Sequence, residues 1–228
     1  MNVERLVLDD PAQAVAERLA AAAESGAQIA LTGGSTPRMA YERAAELGAD
    51  WSSATLWWGD ERCVAPDHEH SNYRFAREAL LDRLPAVAPA VRRIEGERGP
   101  EEGARVYEAA LRDEFGGALP RLDLVLLGVG PDGHCASLFP NAPALEEAER
   151  TVVGVAKAGL APWVPRVTLT LPVLGAAREV VFLVTGADKA EAVVRAFETP
   201  PSAAVPASLV VAAAAAVSVI LDRGASGG

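Results

Sequence analysis

Lysine is nearly absent from this chain. Of 21 lysine and arginine residues among 228, only Lys157 and Lys189 are lysines, and 31 aspartates and glutamates bring the net charge to -10. A nucleic-acid-binding protein carries the opposite balance, which excludes that class. An anionic ligand would need a locally basic pocket against such a background. Cysteine is equally scarce, with Cys63 and Cys135 alone. Two thiols build no disulfide framework and the N-terminus shows no signal-peptide pattern, so reduced thiols and a cytoplasmic location are expected. The longest apolar stretch, Val205 to Val217, is alanine-rich and holds Pro206 and Ser208. It is too short and too weak to span a membrane. What the chain does have is hydrophobic residues at half of its positions, enough to bury one domain. Residues 1–223 are read as that domain and residues 224–228 as a disordered tail.

The pattern along the chain alternates short apolar runs with helical segments. Strands are expected at Glu4 to Leu8, Gln28 to Leu31, Ala54 to Trp58, Leu122 to Leu127, Thr151 to Val155, Arg166 to Leu171 and Glu179 to Thr185. Helices are expected from Pro11 to Ser25 with Asp10 as cap, after Pro37 to about Leu47, from Ser71 or Asn72 to Leu84, from Glu101 to Phe115, and from Ala187 to Phe197. Residues 85–100 read as a connector with a short strand at Val91 to Ile94. No internal repeat interrupts this order. Strands alternating with helices mean an α/β fold: three layers, with an open, mostly parallel sheet and helices on both faces.

The stretch from Leu122 to Phe139 organises the rest. It begins as a buried strand and runs into Gly128, Gly130, Pro131 and Gly133, which forbid regular structure and permit sharp turns. Asp132 and His134 sit at the end of that loop. Ligands of open α/β sheets bind beyond the carboxyl ends of the strands. Histidine is the side chain that takes and returns a proton near neutrality. Asp132 either orients the imidazole or only braces the turn.

A second glycine turn, Thr32-Gly33-Gly34-Ser35-Thr36-Pro37, joins a strand to a helix. Free amides and the positive end of the helix dipole make such a turn a phosphate site. The alternative is a helix start capped by Ser35 or Thr36. The turn matches neither a dinucleotide nor an ATP fingerprint. Trp58 leads straight into Gly59-Asp60-Glu61-Arg62. Arg62 there is either a planar fork for an anion or one half of an internal ion pair in a solvated loop. Asp67, His68, Glu69 and His70 read as a polar loop rather than a metal site, because adjacent residues on one loop converge poorly.

Five segments together resemble one family. Gly33-Gly34-Ser35-Thr36-Pro37, Trp58-Gly59-Asp60-Glu61-Arg62, Ser71-Asn72-Tyr73, Gly128 through Phe139, and Pro165-Arg166-Val167-Thr168-Leu169-Thr170 follow the order and spacing of 6-phosphogluconolactonases. The resemblance covers nearly the whole chain. Glucosamine-6-phosphate deaminases are similar in fold, but typically carry Asp-Glu-Tyr and Asn-Gly-His-Ile-Ala-Phe. Here Asp60-Glu61-Arg62 and Asp132-Gly133-His134-Cys135-Ala136-Ser137 stand instead.

The resemblance implies hydrolysis of 6-phospho-D-glucono-1,5-lactone without metal or cofactor, with that small molecule as the partner and a monomer or small homo-oligomer as the assembly. It makes His134 the base that activates water and Asp132 its neighbour in the catalytic loop. It places Gly33, Gly34, Ser35, Thr36 and Asp60 on the substrate pocket, and gives Arg62 and Arg166 to the phosphate. One departure stands out. Many members carry a lysine just before the last arginine, whereas Leu160 to Pro165 holds none and Lys157 lies further upstream. The alternatives are a sugar-phosphate isomerase or deaminase on the same fold, or a non-catalytic sugar-phosphate sensor, which would have no need of His134.

Overall fold

The computed structural model describes residues 2–84 and 88–228. The chain runs β1 (Asn2–Val7), α1 (Pro11–Glu24), β2 (Gln28–Leu31), α2 (Arg38–Glu46), β3 (Thr55–Trp58), β4 (Asp60–Arg62), α3 (Asn72–Ala79), β5 (Ala90–Val91) and α4 (Pro100–Glu114). It continues through β6 (Leu124–Leu127), β7 (Val152–Val155), β8 (Arg166–Leu169), α5 (Leu171–Ala176), β9 (Glu179–Val184), α6 (Ala190–Phe197), α7 (Pro206–Ala213) and β10 (Ala216–Leu221). Residues 85–87 of the expected connector lie outside the described residues.

Seven strands form one sheet in the order β1-β10-β9-β6-β2-β3-β5, and every pairing in it is parallel. A parallel sheet is covered on both faces, so its central strands need no polar side. All four residues of β6 and of β3 are buried accordingly. Right-handed crossovers dictate where the helices go. The chain moves one way across the sheet from β2 to β3 and the other way from β9 to β10. The connecting helices, α2 for the first and α6 with α7 for the second, therefore lie on opposite faces. Local chemistry starts several helices as expected. Asp10 accepts the Gln13 amide at 3.1 Å ahead of Pro11, and Ser71 accepts the Arg74 amide at 3.1 Å.

Three features depart from the sequence reading. Asp60 to Arg62 is a strand, not a solvated loop. With β8 and β7 it makes a second, antiparallel sheet in the order β4-β8-β7. Gly59 is the pivot between the two sheets: its N–H donates to Leu31 and its carbonyl accepts from Leu169, both at 2.9 Å. Neither Ser35 nor Thr36 caps α2, whose cap position is Pro37 with no side-chain bond. The C-terminal tail is a packed turn rather than a disordered one. Ala225 is fully buried and its amide donates to Asp222 at 2.7 Å, because Asp222 also gathers the Gly186 amide at 3.0 Å and fastens the turn to the end of β9.

Candidate active site

From β2 the chain leaves toward β3, and from the adjacent β6 it leaves toward β9. The connections diverge, and a crevice opens between them beyond the carboxyl ends of the strands. A cleft of about 270 Å³ occupies that position. Gly33, Gly34, Ser35, Thr36, Asp60, Arg62, His134 and Arg166 all line it, brought together from four separate segments. Asp132 is the exception: it stands behind His134 rather than on the wall.

Two buried tyrosines hold the strand ends from which the site springs. Tyr41 of α2 accepts the Thr32 amide at 2.9 Å and donates to the Thr32 carbonyl at 2.7 Å. Tyr107 of α4 treats Trp58 in the same way, at 2.8 and 3.0 Å. Each hydroxyl satisfies both polar groups of one residue where the sheet ladder stops. Past Thr32, none of the amides of Gly33, Gly34, Ser35 and Thr36 donates to another described residue. They remain available to an anion.

The geometry of the loop after β6 centres on one contact. His134 Nδ1 lies 2.5 Å from Asp132 Oδ1, and the His134 amide donates to the same oxygen at 3.2 Å. Engaging Nδ1 leaves Nε2 for the cleft. Partial burial pushes the Asp132 carboxyl up, but the hydrogen bond and charge of His134 outweigh it and hold Asp132 below the ordinary carboxylate value. Gly130 is required by this pairing, because a methyl group there would lie 2.1 Å from His134 Nδ1. The loop is pinned from outside as well. Arg195 of α6 donates to the Pro131 carbonyl at 2.6 Å, and Gly133 accepts the Ala207 amide of α7 at 3.0 Å.

The two arginines face each other in register across β4 and β8. Arg62 donates to the His70 carbonyl at 2.8 Å, while its buried Nε has no partner among the described residues. Arg62 forms no ion pair with Asp60 or Glu61, so the internal ion pair weighed from the sequence is absent among the described residues. Arg166 is buried and donates to the carbonyls of Pro162 and Val164, at 2.9 and 3.2 Å. Burial, then the neighbouring Arg62 charge, pull Arg166 below the ordinary guanidinium value. Asp60 accepts the Ser137 hydroxyl at 2.6 Å and the Asn72 amide at 3.1 Å.

Lys189 and Asn72 are among the wall residues that sequence reasoning did not assign to the site. Lys189, just before α6, lines the cleft, whereas Lys157 is exposed and off its wall. The signal was the scarcity of lysine itself, which left only two positions to choose between. Asn72 also lines the cleft and is buried; its side-chain role is set by contacts across the fold that spacing does not reveal.

A family model described as glucosamine-6-phosphate isomerases/6-phosphogluconolactonase matches residues 4–219. This chain belongs to that family. Within it, the 6-phosphogluconolactonase of Homo sapiens is 43% identical over 208 residues, covering 87% of this chain and 80% of its own length. The 6-phosphogluconolactonase of a Synechocystis strain is also 43% identical, over 168 residues, 72% of this chain and 68% of its own. Among solved structures, 6-phosphogluconolactonase from Trypanosoma cruzi superposes with a TM-score of 0.82 at 30% identity, over 99% of this chain and 97% of that one. The family's three-layer α/β architecture is the one described above. Among the described residues no helix is long and apolar enough to cross a membrane.

Proposed function

We propose that the protein hydrolyses 6-phospho-D-glucono-1,5-lactone to 6-phospho-D-gluconate, the second step of the oxidative pentose phosphate pathway. The observation that carries this reading is His134 on the wall of a cleft bearing three cations, backed by Asp132 at 2.5 Å. A lactone carbonyl is electrophilic enough for water, provided a base removes the proton as it attacks. His134 Nε2 is that base. Asp132 holds the tautomer with its proton on Nδ1 and stabilises the imidazolium that forms. The imidazolium then returns the proton to the departing ring oxygen, which completes ring opening.

A covalent route has no support. Ser137 gives its hydroxyl to Asp60 rather than to His134. Burial pushes the Cys135 thiol up, so it stays protonated, and only the thiolate is nucleophilic. The free amides of Gly33 to Thr36, with Arg62, Arg166 and Lys189, supply the positive potential for the phosphate in a protein of net charge -10. Holding the phosphate remote from C1 fixes the carbonyl against the base.

The test is direct. The protein is assayed for acid release from freshly generated lactone, above spontaneous hydrolysis, with glucosamine 6-phosphate as rival substrate. His134→Ala is expected to fold normally and to lose about 10²–10⁴-fold in kcat. Full turnover by the variant would remove His134 from the mechanism, and turnover of the amino sugar alone would replace the lactone.

A further inference from the structure

Glu61 is a buried carboxylate that the proposed hydrolysis does not use. It is 3% exposed and sits between Asp60 and Arg62 on β4. Its Oε1 accepts the amides of Arg62 and Asn72, both at 2.7 Å, and its Oε2 accepts the Tyr73 amide at 2.8 Å and the Ser71 hydroxyl at 3.1 Å. No cation pairs with it among the described residues. Burying such a group is costly, and a helix start does not need it when a serine cap is present. Ser71 already caps α3 through Arg74. What Glu61 adds is register, tying β4 to the first residues of α3.

Asn72 is the residue this register places. Its Nδ2 donates to the Asp60 carbonyl at 2.9 Å and to Asp60 Oδ1 at 3.1 Å. Its Oδ1 is buried without a hydrogen-bond partner among the described residues. That oxygen lies against Gly33, where a methyl group would come within 1.8 Å of it. One amide therefore touches Asp60 on one wall and the first glycine of the anion turn on another.

We infer that Glu61 is a positioning residue: it locks the start of α3 so that the Asn72 amide holds Asp60 and the Gly33 turn in register across the cleft. The inference rests on the lactonase reading, in which that turn holds the phosphate. Glu61 touches no reacting atom and acts through Asn72. Its effect falls on binding, because Asn72 and Gly33 lie at the anion turn, whereas His134 and Asp132 are held by their own contact and by Arg195 and Ala207.

Glu61→Gln tests this. It keeps the side chain's shape but sets an NH₂ group where a backbone N–H needs an acceptor. The expected result is a rise of about tenfold in KM for the phospholactone and in Kd for 6-phosphogluconate, with kcat within about twofold of wild type. Asn72→Ala should raise both to a similar extent, and the double variant should be no worse than either single one. A lower melting temperature with unchanged KM and Kd would make Glu61 a structural cap and overturn the inference. So would additive effects in the double variant. If Glu61→Gln does not fold, Asn72→Ala decides alone, and wild-type KM and Kd in it refute the link. A wild-type protein that binds 6-phosphogluconate but leaves the lactone intact would refute the lactonase reading instead, while the Kd cycle still reads the coupling of Glu61 to Asn72.

Discussion

Gly130→Ala puts the smallest possible perturbation against the Asp132–His134 pair. The added methyl would lie 2.1 Å from His134 Nδ1, 2.2 Å from Cε1 and 2.7 Å from Asp132 Oδ1. Non-bonded heavy atoms settle near 3.5 Å, so the imidazole must retreat by roughly 1.4 Å. The backbone itself accepts alanine, since Gly130 is not among the glycines with left-handed φ. The strain therefore discharges through the side chains, and the ring has the cleft to swing into. That movement breaks the 2.5 Å contact to Asp132, removing both the tautomer control and the alignment of Nε2 with the attacking water. A misplacement of about 1 Å costs on the order of 10² in rate. With the lost hydrogen bond added, kcat should fall about 10²–10³-fold, equivalent to roughly 3–4 kcal/mol in the barrier. The assay is acid release from freshly generated lactone with spontaneous hydrolysis subtracted, run beside a thermal melt. In a His134→Ala background the same substitution should cost nothing further, because the group it displaces is gone. Wild-type kcat in Gly130→Ala, with an unchanged melt, would refute the role given to the pair.

Other outcomes follow from the same geometry. Lys189→Ala should weaken binding of 6-phosphogluconate far more than of gluconate in calorimetry; equal losses would place the phosphate elsewhere. Ser137→Ala leaves buried Asp60 without the hydroxyl now 2.6 Å away and should lower unfolding free energy in denaturant by about 1–3 kcal/mol. Asp132 has a folded-state value below its ordinary one, so its contribution to stability is present above the ordinary carboxylate range and is lost as pH falls through the folded value. Denaturation of wild type and Asp132→Asn across acidic pH should converge at the acid end; a gap that widens there would contradict the sign.

What the amino-acid sequence determined by itself was local. The apolar runs of β3, β6 and β9, the Asp10 cap, a cap at Ser71 or Asn72, and the two glycine turns follow from side-chain period and backbone sterics, which act within a few residues. The site was legible to the same degree: glycine density at strand ends marked the loops, and His134 was the one histidine in them. Tertiary structure decided everything that depends on approach between distant segments. Asp60 to Arg62 pair with β8 only because Gly59 turns the chain off the parallel sheet, and no periodicity in three residues announces that. Asp132 meets both the ring and the amide of His134 within its own loop, but only Arg195 and Ala207, from helices far along the chain, fix where that loop stands. Lys189 and Asn72 reach the cleft from helix starts far along the chain, placed there by crossover handedness and by buried polar groups that each need a partner.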